Sequence, residues 1–178
     1  MKPAARGRVA CLLAISGLVS SAHGAPFQSV VIQSGERAGA IERNVASLLA
    51  ERIAELGDVP VRIAHEAPTA PTPATELVIL LGVPENHARI RAQFDAQRLE
   101  PLTGLSPGPE GFLLKTVPRE AGRLVIVAGL DPRGVLYGAG ETLRHMVVRG
   151  SVLEFPASLT VRSAPRLRFV GRNSARVP

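Results

Sequence analysis

The stretch that decides the fold runs from Gly111 to Arg149 and reads GFLLKTVPREAGRLVIVAGLDPRGVLYGAGETLRHMVVR. Two apolar segments, Phe112–Val117 and Leu124–Gly129, flank the turn-forming residues PREAG, which predicts a β-hairpin. Asp131 and Pro132 then suit the N-cap and the first position of a helix. The buried stripe expected of this helix, which we end at Gly150, recurs at helical spacing through Val135, Leu136, Ala139, Leu143, Met146 and Val147.

The sequence before this block predicts a strand, an amphipathic helix and a short edge strand. Phe27–Gln33 is rich in β-branched residues, and Ser34 after it could cap the helix. Gly57 is a suitable stop, and Val61–Ala64 follows a proline, as edge strands often do. The apolar face of the helix consists of Ile41, Val45, Leu48, Leu49, Ile53 and Leu56, with polar residues such as Glu42 between these positions.

The middle of the chain adds a loop, a buried strand and a second helix. Ala67–Thr75 is rich in proline and uncharged, which predicts an extended surface loop. Glu76–Gly82 is almost continuously apolar, as in strands covered on both faces. We expect Pro84 and Glu85 in the first turn of a helix with Ile90 and Phe94 on its apolar face, and then a loop over residues 100–109.

Two further short strands are expected at Ser151–Phe155 and Leu159–Arg162, which completes the element order βαββαββαββ. Hairpin turns join two of the strand pairs, while helical crossovers favour parallel neighbours. The fold class predicted is therefore α+β: a two-layer α/β domain with a mixed sheet and about three helices mainly on one face. The other face of the sheet is expected to be bare and to need a partner.

Residues 1–24 have the features of a signal peptide, with a basic start followed by the apolar run Val9–Ala22. The small residues before Ala25 place cleavage between Gly24 and Ala25. A membrane-spanning helix is the alternative, but about 20 apolar residues are needed to span and this run is shorter. We therefore expect an exported protein, periplasmic or secreted, with no membrane contact after cleavage and one domain from residue 25 to 163.

The formal net charge of +6 does not indicate nucleic-acid binding, because its sources are not on one folded face. Three basic residues lie in the predicted leader, and five arginines from Arg162 onward lie in a stretch without acids. The remaining body carries 13 basic and 15 acidic residues. Residues 164–178 therefore read as a solvated basic tail. The single cysteine, Cys11, lies in the leader, so the mature chain has no thiol chemistry.

No catalytic constellation is evident. Gly104–Gly108 matches the G-x-S-x-G pattern of a serine nucleophile, but no strand precedes it and prolines follow, so a turn-rich loop is the better interpretation. Gly134, Gly138 and Gly140 are spaced wrongly for a dinucleotide site, and Gly134 and Gly138 are better explained by close packing of the helix on the sheet. The mature histidines, His65, His87 and His145, lack metal-ligand spacing. We predict no catalytic, substrate-binding or metal-ligating residue and no cofactor.

The combination EGFLLKTV, RLVIVAGLDPRGVLYGAGETLRHM and SLTVRSAPRLRF resembles the N-terminal α/β domain that precedes the catalytic barrel in α-glucuronidases and bacterial β-N-acetylhexosaminidases. The resemblance extends from about Phe27 to Pro165 and leaves the choice between the two enzymes open. Hexosaminidases commonly carry a sugar-binding arginine in an Arg-Gly pair at the start of the barrel. Val170 precedes Gly171 here, so that contact cannot be carried over.

The resemblance implies a non-catalytic accessory domain of a glycoside hydrolase, whose chemistry lies on a (β/α)8 barrel. That barrel is the partner expected in the same chain or from a neighbouring gene, and residues 164–178 would begin it. In this view the chain stands without its catalytic domain, and it is uncertain whether it is itself an enzyme. The alternative is an independent exported module that binds an oligo- or polysaccharide or a protein through the bare sheet face or the arginine tail.

Overall fold

The computed structural model describes residues 26–65, 73–119 and 121–165. The predicted signal peptide, its cleavage site at Gly24 and Ala25, most of the proline-rich loop and the tail after Pro165 lie outside these residues. The described elements are β1 Pro26–Phe27, β2 Ser29–Ser34, α1 Ala40–Leu56, β3 Val61–His65, β4 Glu76–Gly82, α2 Ala88–Asp95, β5 Phe112–Pro118, β6 Arg123–Gly129, α3 Pro132–Arg144, β7 Val147–Arg149, β8 Val152–Glu154 and β9 Thr160–Ser163.

The main sheet has six strands in the order β3-β2-β4-β6-β5-β9. Strands β3, β2, β4 and β6 are mutually parallel, whereas β5 runs antiparallel to both β6 and β9. A second, antiparallel sheet has the order β1-β8-β7. The α+β class, the mixed sheet and the three helices are therefore confirmed, and β3 lies at the sheet edge as its length and preceding proline predicted.

Helices α1 and α3 lie on one face of the main sheet. They pack over the side chains of one pleat, including Ile32, Ile79 and Val127, in a single apolar cluster. Because β4 is covered on both faces, all seven of its residues are buried, as its continuous apolar sequence predicted. The hairpin of β5 and β6 is also confirmed.

The second face of the sheet is not bare, and that prediction is wrong. Ile90 of α2 and Leu99 after it pack against Leu80 and Ile126 on this face, and Phe94 and Leu102 extend the cover. Ile126 is 0% exposed and Leu80 is 1% exposed. This covering layer could not be predicted from the sequence, because α2 has only eight residues and the segment after it has no periodicity. Both faces of the central strands are closed by the chain itself.

Several predicted boundaries are shifted. The first predicted strand is divided at Gln28, because β1 pairs with β8 in the small sheet while β2 pairs with β3 and β4 in the main sheet. Pro84 and Glu85 form a turn, and α2 begins only at Ala88. Helix α3 ends at Arg144, whereas Gly150 has a φ of 59° in the turn between β7 and β8. The helical stripe therefore did not extend to Val147, which begins β7.

The start of α1 depends on a buried carboxylate rather than on Ser34. Ser34 ends β2, and Gly39 is the N-cap. Glu42, which is 1% exposed, accepts hydrogen bonds from the backbone N–H of Gly39 at 2.8 Å and from that of Val83 at 2.9 Å. The side-chain amide of Asn86 donates to the same carboxylate at 2.7 Å. One side chain thus fixes the start of α1 against the carboxyl end of β4.

The glycines of α3 allow this helix to contact the hairpin backbone. A Cβ on Gly134 would lie 2.2 Å from the carbonyl oxygen of Gly111, and one on Gly138 would lie 2.7 Å from Val127. Both distances are shorter than real Cβ contacts. Gly140, two residues further along the helix, has open space around its Cα. The prediction that Gly134 and Gly138 permit close packing is therefore confirmed.

The small sheet closes one end of the core. Phe27, Leu153 and Phe155 are buried there. The guanidinium of Arg123 donates to the carbonyl of Phe155 at 2.8 Å and lies 5.3 Å from the centre of the Phe27 ring. Its partial burial lowers the pKa of Arg123, although an arginine stays charged at physiological pH. This arginine links the end of the hairpin to the small sheet.

We predict opposite effects of alanine at two glycines of α3. Gly134→Ala should lower the free energy of unfolding by about 1–3 kcal/mol, because its methyl group would overlap the Gly111 carbonyl. Gly140→Ala should raise it by about 0.5–1 kcal/mol, since alanine favours the helix and meets nothing there. Chemical denaturation of the two purified variants measures both changes. Equal effects would contradict the close contact.

We also predict that Glu42→Gln lowers the free energy of unfolding by about 1–3 kcal/mol, since an amide NH₂ must replace one acceptor oxygen and face a buried donor. Glu51→Gln, on the exposed side of the same helix, is the matched control and should change stability by less than about 0.5 kcal/mol. The comparison uses the same denaturation experiment. A similar, small effect of both substitutions would show that the Glu42 contacts do not matter.

Candidate interdomain surface

Ser106 lies in a tight turn and not at the strand-to-helix elbow that a serine nucleophile requires. The turn is closed by hydrogen bonds between the backbone of Thr103 and that of Ser106, at 2.8 and 3.2 Å. The Ser106 hydroxyl accepts from the guanidinium of Arg162 at 3.3 Å. The structure thus supports the loop interpretation of the G-x-S-x-G match.

The three histidines that the structure describes lie on separate elements. His65 ends the edge strand β3 and lies 3.5 Å from the Ser34 hydroxyl. His87 is buried at the N-cap of α2, and His145 at the C-cap of α3 lies 3.1 Å from the Glu141 carboxylate. Within residues 26–65, 73–119 and 121–165, no three metal-ligating side chains are grouped.

Asp131 and Glu110 connect the start of α3 with the loop before β5. One carboxylate oxygen of Asp131 caps α3 by accepting from Gly134 N at 2.8 Å, and the other accepts from Glu110 N at 2.8 Å. Glu110, which has a φ of 58°, pairs through its side chain with Arg133 at 2.7 Å. The hydrogen bond to Glu110 and the negative charge of Glu110 raise the pKa of Arg133. Asp131 therefore joins the helix to the loop before β5, and its prediction as the cap is confirmed.

Arg162 has a role that sequence reasoning missed. The predicted strand Leu159–Arg162 includes it, but we counted its charge with the solvated arginines at the end of the chain, whereas its side chain is only 18% exposed in β9. Its guanidinium donates to the carbonyls of Glu100 at 3.1 Å, Pro101, and Ser106 at 2.6 Å. The strand was predicted, but the bonding of Arg162 to carbonyls about 60 residues earlier has no local signal in the sequence. Arg162 therefore ties the last described strand to the loop over residues 100–109.

The turn that Arg162 holds presents a leucine to solvent. Leu105 is 98% exposed, far more than the other exposed large apolar residues that the structure describes. The turn groove beside it has a volume of about 650 Å³. It is lined by Leu105, Ser106, Pro107, Gly108, Pro109, Arg162, Ser163, Ala164 and Pro165. An exposed apolar side chain on a hydrogen-bonded turn thus lies where the chain leaves β9.

A second groove adjoins the first along the end of β9. This α3 groove has a volume of about 340 Å³ and shares Ser163 and Pro165 with the turn groove. The side chains of Leu136 and Tyr137 on its wall are 40% and 37% exposed. The full lining is Phe112, Leu136, Tyr137, Gly140, Glu141, Arg144, Val161, Ser163 and Pro165. We call the two grooves together the exit face.

We predict that Arg162→Met loosens the turn. Backbone amides of Thr103, Ser106 and Gly108 should exchange with deuterium at least about tenfold faster, because the charged donor to this loop is lost. Amides of β4 should be unaffected. Arg144→Met is the matched control, since that side chain is 76% exposed in a surface ion pair. Unchanged exchange in Arg162→Met would refute the bracing role.

The comparisons with known proteins identify the family. No curated protein matches the chain. In the part of the chain that the structure describes, no helix has the length and apolarity to cross a membrane. The model of the family described as glycosyl hydrolase family 67 N-terminus matches residues 29–141, more than half of the chain. The match includes the hairpin and most of α3 but ends before β9. The chain therefore belongs to the glycosyl hydrolase family 67 N-terminus family, the N-terminal domain of α-glucuronidases.

Proposed function

We propose that this chain serves as the non-catalytic N-terminal domain of an exported, α-glucuronidase-like glycoside hydrolase. The family match carries the proposal. The catalytic acids would lie on a partner (β/α)8 barrel, in the same chain or from a neighbouring gene. The complete enzyme would remove glucuronic acid side chains from xylan or a related polysaccharide.

The hydrogen bonds and ion pairs of three acidic side chains support a structural role for this domain. Glycosidases need two carboxylates facing each other across an open sugar site. The carboxylate of Glu42 is buried and takes up three donors, and that of Asp131 takes up two backbone N–H groups. Glu110 is paired with Arg133 on the surface of the same loop. The carboxylates of Glu42 and Asp131 hold backbone groups and that of Glu110 is paired with Arg133, so these three are engaged in the fold rather than in hydrolysis.

Export rests on the N-terminal sequence. The basic and apolar segments of residues 1–24 and the small residues before Ala25 are what a signal peptidase requires. Polysaccharide substrates are too large to enter a cell intact, so a periplasmic or secreted enzyme is consistent with this substrate class. The mature protein would begin at Ala25 and leave the membrane on cleavage.

An independent exported binding module remains the second candidate, but one of its two supports is lost. The bare sheet face does not exist, because α2 and the segment after it cover it. What favours the candidate is the α3 groove, where Tyr137 could stack on a sugar ring beside the polar side chains of Glu141 and Arg144. Glycan-array binding by the chain, lost in Tyr137→Ala, would favour this function.

We predict that the exported protein releases no glucuronic acid from glucuronic-acid-substituted xylo-oligosaccharides. Mass spectrometry should identify Ala25 as its first residue. The physical reason for the absence of release is that the carboxylates of Glu42 and Asp131 bind backbone groups of the fold. A complete family 67 α-glucuronidase assayed in parallel is the positive control. Release of the sugar by this chain alone would contradict an accessory role.

A further inference from the structure

The most exposed large apolar side chain among the described residues lies on a fixed turn. Leu105 is 98% exposed, while hydrogen bonds within Thr103–Gly108 and from Arg162 hold the backbone on both sides of it. An isolated exposed leucine is unremarkable on a protein surface. Because the backbone of the turn is held, binding would have to order only the side chain of Leu105, which suits it to insertion into a pocket.

Leu105 is also part of a larger surface. The turn groove beside it continues into the α3 groove across Ser163 and Pro165, and Leu136 and Tyr137 add apolar area there. Gly140 opens this groove further, because nothing lies within 4 Å of the position of its missing Cβ. The rim carries the ion pair of Arg144 and Glu141 at 2.5 Å. An apolar centre with a charged rim is the arrangement found in protein interfaces.

The chain direction indicates what covers this surface. Strand β9 is the last described strand, and residues 163–165 lead away from it along both grooves. In the family to which the chain belongs, this domain is the N-terminus of the hydrolase and a catalytic domain is its partner. A domain connected after residue 165 begins at the exit face.

We propose that the exit face is the docking surface for the catalytic domain, with Leu105 inserted into an apolar pocket of that domain. This inference rests on the proposed function. Arg162 positions the turn for docking, because it joins the strand from which the next domain emerges to the loop that carries Leu105. The apolar residues of α1, such as Leu48 at 40% exposure, lie outside both grooves.

The test uses residues 26–165 of this chain, whose sheet is covered on both faces and which we therefore expect to fold alone. In a chimera, these residues replace the N-terminal domain of a family 67 α-glucuronidase. Association is also measured between residues 26–165 and the catalytic domain of that enzyme as separate proteins. Leu105→Asp should weaken association at least about tenfold, as is common for central interface side chains. The matched variant Leu48→Asp should change it by less than about twofold. Gly140→Trp, which fills the α3 groove from outside, should weaken association as Leu105→Asp does.

The outcomes separate the two proposals. Thermal unfolding of isolated Leu105→Asp should match that of the unsubstituted domain, so that lost association reports on docking and not on folding. If neither Leu105→Asp nor Gly140→Trp weakens association, the docking surface is overturned while the proposed function is supported. If the unsubstituted domain neither associates with the catalytic domain nor unfolds with it in one transition in the chimera, both proposals are overturned.

Discussion

The close contact of α3 with the hairpin of β5 and β6 is the constraint on which the other features depend. The backbone of the helix can contact the loop before β5 because Gly134 has no side chain. Only at this separation can one carboxylate, that of Asp131, bond both the helix start and the amide of Glu110. The loop before β5 is fixed in turn, and with it the turn that carries Leu105. Gly134 and Gly138 therefore position a surface that they do not themselves form.

The elements with strong local signals could be predicted from the sequence. The uninterrupted apolar run of β4, the hairpin and the Asp131 cap each depend on residues close together in the chain, and the structure confirms them. The element boundaries that were predicted wrongly depend on residues that are distant in the chain. Gln28 separates two strands only because the residues on either side pair with different sheets. Periodicity within the chain cannot reveal such a division.

The two polar residues that matter most were misjudged for the same reason. Glu42 was placed among the polar positions of α1, yet its donors include Val83 and Asn86, which follow β4. The charge of Arg162 was counted with the solvated arginines at the end of the chain, yet its side chain bonds carbonyls about 60 residues earlier. A charged side chain is usually solvated, so sequence reasoning assigns it to the surface unless its partners are known. The covering of the second sheet face was missed because short, irregular segments supply it.

The anchoring of β9 has a mechanical consequence. This strand has only four residues and lies at the edge of the sheet, where a pull on the following chain would separate it one hydrogen bond at a time. Arg162 shares such a load among three backbone carbonyls in the loop that packs beneath the sheet. Motions of a domain connected after β9 would therefore be resisted by the body of the fold, and the connection between the two would be stiff.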